Sequence, residues 1–360
     1  MHDDTLPAKK AGFSFSKLAL FVGAAMLLLR LMRGRQAVDF RGRTVLITGG
    51  SRGLGLSIAR QLASEGANLV LVARSESELE SAARELESEG ARVFTVVADV
   101  TRKEECERAV RAAATRFGSL DALVNDAGVI QVGPLEHMSD DDFKSAIDLH
   151  IYAPLWMMRA ALPYLKKGGV GRIANIASFG GLVAVPHMAP YAASKFGMIG
   201  LSDAFRNEVA KDGVRVTTVC PGIIRTGSHL NAGFKGRQKL EYKMFKLGAV
   251  SPIAVPAPLA AKLIVDAMRY GDPFLAFPSI IGWAGVLYRL FPNLAGAVLA
   301  AGVHFMPAPT DEGGDTLMSG GELELQTSSA PLGTNADKAA MANNELNGYP
   351  GAHTLPNLEQ

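Results

Sequence analysis

From Thr44 onward, short continuous apolar runs alternate with stretches in which apolar residues recur every three or four positions. The continuous runs are 44–48 (TVLIT), 68–73 (NLVLVA), 92–98, 122–125, 172–176 and 214–220. The periodic stretches are 56–65, 75–89, 101–117, 139–165 and 190–210. Strands that are apolar on both faces need cover from both sides, so the alternation predicts an α/β chain with a doubly wound parallel sheet between two helical layers. Ligands of such sheets bind beyond the carboxyl ends of the strands. Thr101-x-x-Glu104 has the form of a capping box opening the helix that runs through Phe117, and Ser139 caps the long helix that follows. No repeat of solenoid length is visible.

Both ends depart from this rhythm. Leu18 to Leu29 is free of charge, and only Ser14, Ser16, Lys17 and Arg30 interrupt Phe13 to Met32. Residues 1–38 are therefore expected to form a hydrophobic membrane anchor. A cleaved signal peptide and a helix packed on the domain are the alternatives. However, Arg30, Arg33 and Arg35 follow the run directly, with no small-x-small cleavage site. Arginines 30, 33, 35, 41 and 43 after the run, against lysines 9, 10 and 17 before it, are expected to leave the main domain, 39–272, on the cytoplasmic side. The stretch 273–306 is nearly all apolar but carries Pro278, Arg289 and Pro292. It reads as a segment resting on a bilayer or lining a greasy substrate entrance, with core packing as the alternative. Residues 307–360 hold eight Asp/Glu against one Lys and few large apolar residues, and are expected to be a disordered acidic tail.

Composition narrows the classes. With 48% hydrophobic and 20% charged residues the chain has enough apolar material for a large core. A net charge of +2 argues against a nucleic-acid binder that works by neutralising phosphates. Two cysteines, Cys106 and Cys220, are too few for a disulfide framework and favour a reducing compartment. The histidines show no metal-ligand spacing, so no metal is expected.

Candidate chemistry begins at the end of the first run, in Thr48-Gly-Gly-Ser-Arg-Gly-Leu-Gly55. Gly49, Gly53 and Gly55 permit a tight turn and close approach of backbone to a pyrophosphate, with the free N–H groups of a helix start behind them. The second run ends in Ala73-Arg74-Ser75 rather than in an acidic residue. Arg74, helped by Arg52, suits a ribose 2′-phosphate, which points to NADP(H) over NAD(H).

Further motifs follow in order: Asp99-Val100, Asn125-Asp-Ala-Gly128, Ser178, Tyr191-x-x-x-Lys195, and Pro221-Gly222 followed by Ile224 and Thr226. Together with the glycine turn, these resemble the short-chain dehydrogenase/reductase family, simple single-domain type, over about residues 41–270. The resemblance implies a Rossmann fold and a nicotinamide cofactor held by Gly49, Ser51, Arg52, Gly53, Leu54, Gly55, Arg74, Asp99, Val100, Asn125, Ala127, Gly128, Tyr191, Lys195, Pro221, Gly222, Ile224 and Thr226. Tyr191 and Lys195, four apart on a helix, share a face, and a nearby ammonium is expected to lower the phenol's pKa for proton transfer. The resemblance makes Ser178 the hydrogen-bond partner of the substrate oxygen, and gives Lys195 the nicotinamide ribose as well. Tyr242-x-x-x-Lys246 has the same spacing, but no strand and serine turn precede it; Tyr242 reads as a residue of the substrate lid.

Two positions depart from the family pattern. Asp126 stands where a second Asn is more common, and His150 where the family places an Asn that holds a water in the proton relay. His150 can donate and accept, and is taken as a relay residue, with helix packing as the alternative. The expected function is an NADP(H)-dependent oxidoreductase interconverting a carbonyl and an alcohol on a lipophilic substrate. A membrane-associated NADP(H)-binding sensor or scaffold without turnover is the alternative. The expected partners are the small-molecule substrate, membrane lipid and further copies of the chain in a homodimer or homotetramer, with no nucleic acid.

Overall fold

The central sheet has seven strands, all parallel: β1 (Thr44–Thr48), β2 (Asn68–Ala73), β3 (Arg92–Val97), β4 (Ala122–Asn125), β5 (Arg172–Ile176), β6 (Arg215–Pro221) and β7 (Phe274–Phe277). They lie in the order β7-β6-β5-β4-β1-β2-β3. The structure is a computed structural model, and it describes residues 33–34, 37–327 and 335–345. The anchor expected at 1–38 thus lies almost wholly outside the described residues.

Alternation of side chains along each strand explains the layers. Val45 and Ile47 of β1 face Leu56, Ala59 and Leu62 of α1 (Gly53–Ser64), Leu79 and Leu86 of α2 (Glu76–Ser88), and Ile264 and Met268 of the later helix α8 (Ala257–Tyr270). Leu46 faces the other way, toward Cys106 and Val110 of α3 (Lys103–Phe117) and Met157 and Leu165 of α5 (Ala153–Lys167). The remaining helices of the core are α4 (Asp140–Ile147), α6 (Ala189–Val209) and α7 (Gln238–Val250). The chain winds outward from β1 to β3 and then crosses back to β4, which opens a crevice between β1 and β4 at their carboxyl ends.

Several expectations are corrected. The sheet does not end at residue 220: Phe274–Phe277 pairs with β6, so a domain boundary at 272 would cut the sheet. Only four residues long between Pro273 and Pro278, this strand is hidden in a longer apolar run. Thr101 caps no helix. Its hydroxyl donates to Asp99 Oδ1 at 2.7 Å, and α3 starts at Lys103 instead. Ser139 does cap α4, in a reciprocal box with Asp142, but the long helix is broken by one π turn, Asp148–Tyr152, before α5 begins.

The largest difference concerns 307–360, whose described residues are ordered. Met318–Ser319 pairs antiparallel with Gly233–Phe234, which in turn pairs with Gln131–Val132. Helix α11 (Gly320–Thr327) brings Glu324 to the Tyr242 hydroxyl and to Lys246 Nζ at 2.7 Å. Asp315 meets His137 Nδ1 at 2.8 Å. Asp315, Glu324 and Glu345, which suggest a solvated tail, are partners for groups on the domain, and such long-range pairing has no local signature.

Between β7 and this segment lie α9 (Ser279–Leu290) and α10 (Pro292–Val303), bent by 112° at Phe291. Among the described residues no single helix is long and apolar enough to cross a membrane, whereas α9 and α10 pass that test together, by length and composition. Ile281, Tyr288 and Leu299 pack on Leu182, Val183 and Cys220, while Trp283, Leu287, Leu290 and Leu294 are exposed.

Candidate active site

The crevice is shaped first by glycine. Gly49 has φ +71°, and a Cβ there would lie 3.0 Å from Ala127 N. A Cβ on Gly55 would lie 2.2 Å from Gly49 O. Neither position accepts a side chain while the turn keeps its shape. Thr48 ties the two loops together: its Oγ1 accepts from the N–H groups of Asp126 and Ala127, both at 3.2 Å. Asn125, at the end of β4, donates to Asn175 Oδ1 at 2.8 Å. Thus Gly49, Ser51, Arg52, Gly53, Leu54, Gly55, Asn125, Ala127 and Gly128 come together at the switch point, as expected from their order in the chain.

Asp126, which stands where an Asn is more common, is half-buried. Its carboxyl accepts from Gly55 N–H, in the first turn of α1; burial pushes its pKa up to about 7, against the pull of Lys195. Arg74 stands exposed at the end of β2, and its charge acts on Asp99. Burial raises the Asp99 pKa, but the hydrogen bonds from Thr101 and the charges of Arg74 and Arg102 bring it below the ordinary value. Val100 is buried beside it. Arg52, expected to assist Arg74, pairs instead with Glu78 at 3.1 Å and Glu345 at 3.8 Å.

Ser178 follows β5, and Tyr191 and Lys195 occupy the first turns of α6. Ser178 hydrogen-bonds the Tyr191 phenol, and its Oγ accepts from Gly180 N–H at 3.1 Å. Lys195 Nζ lies 5.7 Å from the Tyr191 ring centroid and donates to Ile176 O at 2.8 Å. The three residues therefore meet. Their charges differ from expectation: burial pushes the Tyr191 pKa up to about 12 and pulls Lys195 down to about 8. At this separation, loss of hydration outweighs any help the ammonium gives the phenolate.

His150 lies in the π turn, edge-on to Tyr191 with ring centroids 5.6 Å apart. Its Nε2 accepts from Val129 N–H at 3.1 Å. Nδ1 and Ser194 Oγ are 2.8 Å apart, and Ser194 in turn donates to Tyr191 O at 2.9 Å. Burial, then the charge of Lys195, hold His150 well below its ordinary pKa, so it is a neutral ring with a proton on Nδ1. Both nitrogens are thereby occupied in joining the 125–129 loop to the start of α6.

On the far side, Pro221 ends β6, and Gly222 N donates to Phe277 O at 2.8 Å. Ile224 is half-buried, and Thr226 is buried with its Oγ1 accepting from Ser228 N–H. Ile281 of α9 packs against Gly222, bringing the apolar helices to the edge of the site. Tyr242 is buried against Phe234, and its hydroxyl donates to Glu324. Burial pushes the thiols of Cys106 and Cys220 up to about 12.

A dinucleotide fits the crevice. At the glycine turn α1 presents its N-terminus, and the space beside Gly53 already holds an anionic group, the carboxylate Glu345 Oε1, 2.6 Å from where a Cβ would stand. Glu345, with Asn343 and Asn344, is the part of the site that motif reasoning missed. Nothing in the local pattern of Asn-Asn-Glu marks it.

The sheet order, the glycine turn at the switch point and the Ser–Tyr–Lys cluster define an oxidoreductase of the nicotinamide-dinucleotide-binding class. The profile described as short chain dehydrogenase matches residues 43–233, and the chain belongs to that family. Ketoacyl reductase HetN of Nostoc sp. is 37% identical over 183 residues, which are 51% of this chain and 64% of that protein. The 11-beta-hydroxysteroid dehydrogenase-like protein 4A of Arabidopsis thaliana is 34% identical over 266 residues, 73% of this chain and 85% of its own. Among solved structures, L-sorbose reductase from Gluconobacter frateurii, complexed with NADPH and L-sorbose, is 27% identical with a TM-score of 0.60, covering 66% of this chain and 97% of that one.

Proposed function

We propose that the chain is an NADP(H)-dependent oxidoreductase that interconverts a carbonyl and an alcohol on a lipophilic substrate, at the cytoplasmic face of a membrane. The observation that carries the reading is the convergence of Ser178, Tyr191 and Lys195 at the carboxyl edge of the sheet, beside the glycine turn. The nicotinamide, when bound, supplies or accepts the hydride. Ser178 holds the substrate oxygen, and Tyr191 gives that oxygen its proton. A phenol at about 12 is kept protonated, which suits reduction of the carbonyl. Lys195, anchored on Ile176 O, holds the ribose and sustains positive charge near the reacting atoms. His150 acts as a positioning residue, because a relay through its ring requires one of its two hydrogen bonds to break.

Arg74 favours a 2′-phosphate: it sits at the end of β2, where an acidic residue would hold a free 2′-hydroxyl. The lipophilic substrate is supported by Ile281, Leu182 and Val183 at the rim of the site, and by the 11-beta-hydroxysteroid dehydrogenase-like relative. The membrane is supported by the exposed apolar faces of α9 and α10 and by the apolar run before residue 30.

The test is loss of NADPH absorbance on the full-length protein with medium-chain aldehydes, quinones and ketosteroids. Turnover is expected with one of these classes, and Tyr191→Phe should lower kcat about 100- to 10,000-fold while leaving NADPH binding intact. Tight NADPH binding with no turnover on any compound would instead favour the sensor.

A further inference from the structure

The described end of the chain lies across the crevice. Helix α12 (Asn335–Ala342) packs Ala340 against Gly227, where a Cβ would come within 2.5 Å of the Ala340 Cβ. Past the helix, the Asn343 carbonyl accepts from Gly53 N–H at 2.8 Å, and Asn344 Nδ2 donates to Ser51 O at 2.8 Å. Arg60 reinforces the contact, donating to Asn343 Oδ1 at 3.1 Å and Ala342 O at 2.7 Å. The Glu345 carboxylate is held by Asn231 and lies 3.8 Å from Arg52 Nε. Asn343 and Glu345 are both buried.

The chemistry of these contacts is that of an anion site already filled. The N-terminus of α1 carries partial positive charge and free N–H donors, which favour a diphosphate. Here the carbonyl end of α12, carrying partial negative charge, and a carboxylate meet that terminus. The same segment reaches the loop of Gly227 and Asn231, just past Thr226 and so on the far side of the crevice. One N–H cannot serve both the Asn343 carbonyl and a phosphate oxygen, and one volume beside Gly53 cannot hold both Glu345 and a diphosphate.

We propose that residues 340–345 form a built-in competitor of the dinucleotide's diphosphate: a clasp that closes the cofactor crevice and must leave before cofactor enters. The inference rests on the reading of the crevice as a dinucleotide site. Docking of the clasp lowers the apparent affinity for cofactor by the fraction of molecules in which it is open. Anything that holds the segment elsewhere therefore raises cofactor occupancy without touching the catalytic residues.

The test uses the full-length protein and two displaced variants, Glu345→Lys and Ala340→Glu, titrated with NADPH and separately with ADP-ribose. Both variants should bind both ligands about tenfold more tightly than the parent. In the parent, amide hydrogen exchange over 335–345 should speed up when NADPH is added, a readout that does not depend on how well the variants fold. Equal affinities in all three proteins, with protection of 335–345 unaffected by bound NADPH, overturn the clasp and leave the cofactor reading standing. Failure of both NADPH and ADP-ribose to bind any of them overturns the cofactor reading itself.

Discussion

Tyr191, Lys195 and Ser178 were legible as single residues because their chemistry is tied to spacing: four apart on a helix, and a serine just past a strand. Their protonation was not legible. A phenol at about 12 and an ammonium at about 8 follow from burial under a completed fold, and motif spacing says nothing of hydration. The same limit applies to Asp126, whose carboxyl is pushed up to about 7 against the first turn of α1. Arg74 offers a clean test of cofactor choice, because it is exposed and its removal leaves no buried group unpaired. Arg74→Ala should shift the ratio of the NADPH and NADH Michaelis constants toward NADH by about tenfold, the size of one charge-assisted hydrogen bond. An unchanged ratio removes Arg74 from the 2′-phosphate.

At the scale of elements, the strands and helices of the core match the alternation of runs, since burial on both faces of a parallel sheet writes itself into each strand. The π turn of Asp148–Tyr152 was not visible, because an apolar period of three or four continues through it. Its purpose is apparent only in space: it sets His150 between Val129 N–H and Ser194, and so fixes α6 against the 125–129 loop. His150→Ala should cost about 1 to 3 kcal/mol of stability in denaturant unfolding, through the partners it leaves unsatisfied. With a positioning role, the variant's kcat falls but its pH profile keeps its shape. A profile whose shape changes assigns the ring to proton transfer. Strand β7 was missed for a different reason: four apolar residues inside a long apolar run carry no boundary, and only pairing with β6 defines them.

For the molecule as a whole, the exposed apolar faces of α9 and α10 and the contact of residues 340–345 with the glycine turn are the features beyond the site that invite test. Trp283 and Leu287 are four apart and both exposed, on a helix whose other side packs beside the site. Trp283→Glu combined with Leu287→Glu should weaken binding to anionic phospholipid vesicles at least about tenfold, given the burial energy of two large apolar side chains. Vesicle binding equal to the parent's takes α9 away from the membrane. Residues 340–345 lie at the opposite edge of the crevice, at the glycine turn, so the Trp283 and Leu287 substitutions leave their contacts intact.

By itself the sequence determined the parallel sheet, the glycine turn at its switch point and the serine, tyrosine and lysine of the site. Each is a local pattern, in which neighbours along the chain are also neighbours in the structure or sit on one face of one element. Only the tertiary structure decided the seventh strand, the hydration and charge of Tyr191 and Lys195, the partners of Arg52 and the place of Glu345. These depend on groups brought together from opposite ends of the chain, such as Gly53 and Asn343, and on the water they exclude. No spacing rule connects such residues; their contact is a property of the packed fold.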